Sequence, residues 1–147
     1  MGIGAVSFNL SHSADVAALA ISRDTRVGVD VEDIREIRSD EIERALSIAE
    51  RLELAEAADA LQLETFFRFW TLKEAFMKGT GLGASLPLHD FDVSPAGPGL
   101  LRLKSAPTEP GRWRFDEFVP KPGIRAALAA RTDDRDLVVQ WRWADFE

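Results

Sequence analysis

The 147-residue chain carries 18 Lys or Arg against 25 Asp or Glu, a net charge of −7, and no cysteine. That length holds one domain whose core needs no cross-links, and the missing thiol excludes disulfides, thiolate metal sites and cysteine nucleophiles. The acidic balance argues against sequence-independent nucleic-acid binding; with no long apolar run and no basic-then-apolar N-terminus, the expectation is a soluble, cytoplasmic protein without membrane span or secretory signal.

Residues 6–10 and 16–22 read as strands, with Ser11-His12-Ser13-Ala14-Asp15 as the turn between them. A third strand, 26–32, follows Asp24-Thr25. Three strands so closely spaced favour an antiparallel meander, because parallel pairing needs a long crossover. In the third, Val27, Val29 and Val31 alternate with Gly28, Asp30 and Glu32, so two carboxylates project from one face. Ser39-Asp40 can open a short helix, and Ser47-Ile48-Ala49-Glu50 has the form of a capping box, which predicts a helix over about 48–58.

From Leu63 onward, Phe66, Phe67, Phe69, Trp70, Leu72, Phe76 and Met77 are too many apolar residues for one narrow stripe. This is the expected central helix, wrapped on much of its circumference. Gly79-Thr80-Gly81-Leu82-Gly83 ends it, since glycine accepts the left-handed conformation past a helix C-terminus; lacking a Gly-Lys-Ser/Thr ending, these glycines are no P-loop. Strands are expected again at 91–93, 100–103, 113–118, 124–130 and 137–143, the last two joined by a hairpin loop at 132–136. The order predicts an α+β fold, an antiparallel sheet packed with helices, as a single domain over residues 1–147.

Lys73 and Glu74 fall in the middle of the most apolar helix, where charge asks for a partner or a ligand, and Glu74 shares a face with Lys78. If that helix packs across the third strand, Asp30, Glu32 and Glu74 come together. Three oxygen ligands suit hard Mg²⁺, and there is no Cys or His cluster of the kind zinc prefers. Plainer readings stand beside this one. Asp30 and Glu32 read equally as solvent-facing strand residues, Glu74 and Lys78 as an ordinary surface ion pair, His12 as a solvated turn residue and His89 as structural. Residues 99–131 hold seven Lys or Arg against three acids, either a solvated strand surface or a contact for an acidic partner.

Taken together, Phe8-Asn9-Leu10-Ser11-His12-Ser13, Gly28-Val29-Asp30-Val31-Glu32 and Phe69-Trp70-Thr71-Leu72-Lys73-Glu74-Ala75-Phe76-Met77-Lys78 resemble the signature of the 4′-phosphopantetheinyl transferase superfamily, particularly its Sfp-type members. That family moves the phosphopantetheine arm of coenzyme A onto a serine of an acyl or peptidyl carrier protein. The resemblance implies Asp30, Glu32 and Glu74 as Mg²⁺ ligands, with Glu74 also assisting deprotonation of the carrier serine. It implies Lys73 and Lys78 as phosphate contacts, and Ser11 and His12 as contacts of coenzyme A. An acidic carrier would meet the basic 99–131 stretch or Arg35, Arg38 and Arg44.

Sfp-type enzymes are built of two similar halves, and the serine-histidine-serine motif falls near the start of the second. Here it begins at residue 11, so the likeness is to the C-terminal half. The expectation is that a second copy or a complementary half completes the site, with exposed Phe8, Trp70 or the valine face of the third strand driving association. The alternatives are a non-catalytic module that binds coenzyme A or Mg²⁺, or a fragment of a longer two-half transferase.

Overall fold

The computed structural model describes residues 4–97, 100–104, 113–133 and 136–145. Three strands come first: β1 (Val6–Ser13), β2 (Val16–Arg23) and β3 (Arg26–Asp33). The helices α1 (Ser39–Ala45), α2 (Ile48–Glu56) and α3 (Gln62–Thr80) follow, then β4 (Asp92–Gly97), β5 (Leu100–Lys104), β6 (Trp113–Phe118) and β7 (Ile124–Arg131). All pairing among the described strands is antiparallel, with β7 central in the order β3-β7-β6 and with β1-β2 and β4-β5 as separate hairpins. The protein is thus α+β, antiparallel sheets packed with helices.

The first three strands do not form the expected meander: β3 pairs with β7, from Arg26 opposite Arg131 to Asp33 opposite Ile124. β1 lies along β3's other edge, but side chains close the gap. The amides of Val29, Val31 and Asp33 donate to Asn9 Oδ1 (2.8 Å), Ser11 Oγ (3.1 Å) and Ser13 Oγ (3.0 Å). The constant offset of 20 residues means β1 and β3 run in the same direction. Small polar side chains at alternate positions of β1 therefore satisfy edge donors that a neighbouring backbone would otherwise take. β1 also runs three residues past Leu10, so Ser11-His12-Ser13 is strand, and the turn is Ala14-Asp15.

The alternation within β3 separates two environments. Val29 and Val31 are 1% exposed and pack with Val16, Ala20, Ile124, Ala126 and Leu128. Trp141 and Val139 cover this layer, Trp141 stacking on Phe118 at 4.8 Å. Residues 137–143, expected as a strand, carry none: the segment lies over a sheet face, filling apolar space rather than extending the ladder. The expected loop at 132–136 falls partly outside the described residues.

Against the opposite face of the β3-β7-β6 sheet lies α3, whose Phe66, Phe67, Phe69, Leu72, Ala75 and Phe76 are all buried, consistent with a helix wrapped on most sides. Phe76 meets Trp113 edge-on at 4.9 Å. Contact with β3 is closest at Gly28, where an added Cβ would collide with the Ala75 carbonyl oxygen and the Gly79 amide nitrogen. Arg26 donates to the Thr80 carbonyl, and Gly81 (φ 73°) closes the helix in the left-handed region. Ser47 caps α2 reciprocally with Glu50, as the capping-box sequence predicts.

Candidate functional site

The face of β3 turned to α3 presents Gly28, Asp30 and Glu32. From α3, Trp70, Glu74 and Lys78 recur at four-residue steps and so form one stripe. The two elements run past each other. Trp70 Nε1 donates to Glu32 Oε1 at 3.0 Å at mid-helix, and Lys78 Nζ donates to Asp30 Oδ1 at 2.8 Å near the helix end. The backbone approach at Gly28 keeps these side chains within reach.

Asp30 is 3% exposed. Its Oδ1 accepts from Lys78 and, at 3.3 Å, from Ser11 Oγ, while its buried Oδ2 has no hydrogen-bond partner. Burial is the main cause that pushes its carboxyl up to about 7; Lys78 pulls the other way, and the charges of Glu32 and Glu74 add to the rise. Glu74, half-buried, is likewise raised above the usual carboxylate range, first by burial, with Lys78 opposing and Glu32 adding. The three acids thus sense one another around one ammonium, leaving surplus negative charge when all are ionised. Lys78 also donates to the Val29 carbonyl at 3.2 Å, so two of its three N–H groups are used and one is left for a ligand.

As the side chains stand, no three His, Asp or Glu residues among those described are gathered tightly enough to hold a metal ion. The donors are neighbours rather than a closed cage. Two cavities, of about 140 and 600 Å³, lie elsewhere, between β2 and residues 137–143; both are lined by Leu19, Ile21, Val138 and Trp141 and neither by a carboxylate. Their walls mix apolar side chains with polar ones, Gln140 in both and Arg142 in the larger, and neither includes Asp30, Glu32, Glu74 or Lys78.

Four of the sequence-derived candidates, Asp30, Glu32, Glu74 and Lys78, come together, with Ser11 bonded to Asp30 behind them. Two do not join them. His12 is exposed on the outward face of β1, opposite to buried Ser11. Lys73 points into the core, fully buried, with Nζ 2.5 Å from Glu50 Oε2 and 2.7 Å from the Phe91 carbonyl oxygen. Burial pulls its ammonium below the usual lysine range, and Glu50 counteracts this. Adjacent helix positions differ by roughly 100°, which is why Lys73 and Glu74 part company. Asn9 and Ser13, which support β3, are not among the sequence-derived candidates, although polar residues at every second position of a strand are a visible signal. Glu50 showed only its capping role.

The fold and this site define a class: an α+β domain whose antiparallel sheet and central helix bring neighbouring carboxylates beside one available ammonium. The chain belongs to the 4′-phosphopantetheinyl transferase superfamily, whose family model matches residues 26–133. It is 33% identical over 125 residues to the 4′-phosphopantetheinyl transferase HetI of Nostoc sp., covering 83% of this chain and 50% of that protein. To the 4′-phosphopantetheinyl transferase ffp of Bacillus subtilis it is 37% identical over 127 residues, covering 86% and 56%. The chain therefore spans about half the length of these curated relatives.

Solved structures share the fold. A holo-(acyl-carrier-protein) synthase from Bacillus anthracis, in complex with CoA (3′,5′-ADP), superposes with a TM-score of 0.61 at 18% identity, over 71% of this chain and 93% of that one. The holo-[acyl-carrier-protein] synthase of Neisseria meningitidis gives 0.61 at 14% identity, over 73% and 97%.

Proposed function

We propose that this chain is the catalytic domain of a Mg²⁺-dependent transferase that moves the 4′-phosphopantetheine arm of coenzyme A to a serine of an acyl or peptidyl carrier protein. The observation that carries the reading is the convergence of Asp30, Glu32, Glu74 and Lys78 in one cleft of a member of this superfamily. The donor chemistry fits Mg²⁺. Asp30 Oδ2 is buried without a partner, the Glu74 carboxylate takes no hydrogen bond from the described residues, and carboxylate oxygens are the ligands a hard cation takes. Asp30, Glu32 and Glu74 would hold the ion, which when bound neutralises pyrophosphate charge.

The chain's own groups do the rest. Lys78 uses its open N–H on a phosphate oxygen and stabilises charge as the leaving group forms. Glu74, made more basic by burial, accepts the proton of the carrier serine directly or through water. The serine oxygen then bonds to the phosphorus bearing pantetheine, and the bond to adenosine 3′,5′-bisphosphate breaks with its electron pair on that product. Ser11 fixes Asp30, Trp70 fixes Glu32, and exposed His12 is available to a coenzyme A phosphate. Release of adenosine 3′,5′-bisphosphate, followed by chromatography with apo carrier, tests the reading: wild-type protein should release it and Glu74→Gln should not.

A second copy or a complementary half completing the site belongs to the same proposal. On the outer face of the β1-β2 hairpin Phe8 stands opposite Ile21 and Leu10 opposite Leu19, all more than half exposed. Trp70 and the valine face, also expected there, are instead held by Glu32 and covered by Trp141. Carrier contact through the basic stretch finds less support: Arg114, Lys121 and Arg125 already pair with Asp116, Asp15 and Glu64. Arg35, Arg38 and Arg44 pair with Glu41 and Asp40. No helix among the described residues is long and apolar enough to cross a membrane, and a cytoplasmic site of action is part of the proposal. The half-length match favours one other reading, a non-catalytic coenzyme A or Mg²⁺-binding module, which the same release assay separates.

A further inference from the structure

Lys73 and Glu50 are buried completely, at 0% and 1% exposure, in the most apolar part of the chain. Beyond its bonds to Glu50 and the Phe91 carbonyl, the ammonium stands 4.7 Å from the centre of the Phe91 ring. Glu50 is equally committed: Oε2 also accepts from the Ser47 amide at 3.0 Å, and Oε1 from the Val93 amide at 2.8 Å. One carboxylate thus joins the N-terminus of α2, the middle of α3 and the start of β4.

A buried ion pair is commonly no more stable than apolar residues of the same volume, so stability alone gives little reason for it. Its bonds are directional, whereas the phenylalanines that wrap α3 would tolerate small rotations and slips. With an ammonium pinned between Glu50 and Phe91, the azimuth of residue 73 is set, and with it that of residue 74, the next along the helix. We propose that Glu50 and Lys73 are positioning residues that fix the rotation of α3, so that Glu74 and Lys78 face Asp30 and Glu32. This role rests on the transferase reading above and assigns Lys73 away from the phosphate contact that its motif implies.

The test compares Lys73→Met, Glu50→Gln and the double variant by thermal unfolding, by kcat and KM for coenzyme A, and by Mn²⁺ affinity from water-proton relaxation. Removing one partner should lower Tm; removing both should restore much of that loss. The double variant should nevertheless lose about 10-fold in kcat or in Mn²⁺ affinity, with KM for coenzyme A changed less than about twofold, the pattern of a group acting through a ligand rather than on substrate. A double variant with wild-type kcat and Mn²⁺ affinity overturns the proposal. So does a Lys73→Met protein that keeps its Tm but needs far more coenzyme A, which would restore the phosphate contact. If the wild type releases no product, the transferase reading fails by itself, and Mn²⁺ affinity still decides whether Glu50, which is no ligand, positions the acids.

Discussion

Lys78 Nζ lies 2.8 Å from one oxygen of Asp30 while the other oxygen, buried, has no partner at all. Half of this carboxylate is neutralised by the protein and half is left for something else. That asymmetry leaves the cleft a charge surplus, and burial, against the pull of Lys78, makes Asp30 titrate far from its ordinary range.

In metal-free buffer the folded protein holds a proton on Asp30 up to about pH 7, whereas an unfolded chain releases it near 3.8. Between those values the native state binds more protons, so stability must fall as pH rises through the window and level off above it. Asp30→Asn removes this slope. The difference in urea midpoint between the two proteins, followed from pH 4 to 8, should shift in favour of the variant by up to about 4 kcal/mol equivalent. Parallel curves would mean that Asp30 titrates normally.

Gly28→Ala should separate β3 from α3. The new methyl meets backbone on both sides, at the Ala75 carbonyl and the Gly79 amide, and backbone cannot swing aside as a side-chain tip can. Overpacking of this kind costs about 1–3 kcal/mol, measurable by urea unfolding. The same variant should weaken Mn²⁺ binding, since the acids sit on the two elements pushed apart; an unchanged midpoint would show that the approach is looser than described.

Ser11→Ala should act through β3. Losing the hydroxyl leaves the buried Val31 amide without its acceptor, a loss of about 1–3 kcal/mol, and takes one donor from Asp30. Hydrogen exchange at Val31 should accelerate while that at Val29, held by Asn9, changes less. Equal protection at both would indicate that β3 is held by β7 alone.

The three acids belong to one chain, so an inactive Glu74→Ala protein mixed with an inactive Asp30→Ala protein should not recover activity, whatever the oligomeric state. Recovery in the mixture would mean that the site draws its acids from two copies.

Local rules made much of this legible in the sequence. Ser47 and Glu50 announced the start of α2, glycine announced the end of α3, and the alternation around Asp30 and Glu32 separated the apolar face of β3 from the one that carries chemistry. What the sequence concealed depends on contacts between distant segments. Residues 137–143 have strand-like composition because they pack on a sheet face, yet composition cannot distinguish covering a sheet from joining it. Lys73 and Glu74 are neighbours in a charged pair of residues, and only the position of Glu50, far earlier in the chain, shows that one faces the core and the other the cleft. His12 is subject to the same ambiguity, since the expected turn and the strand continuation differ here by three residues.

The central claim is that this cleft transfers phosphopantetheine. The direct measurement is the intact mass of an apo carrier protein after incubation with the purified chain, coenzyme A and Mg²⁺, beside a Glu74→Gln control and a chelator control. A gain of one phosphopantetheine with the wild type, absent in both controls, is the predicted result. A folded wild-type protein that leaves several carriers unmodified, or a Glu74→Gln protein that modifies them as well as the wild type, would contradict it.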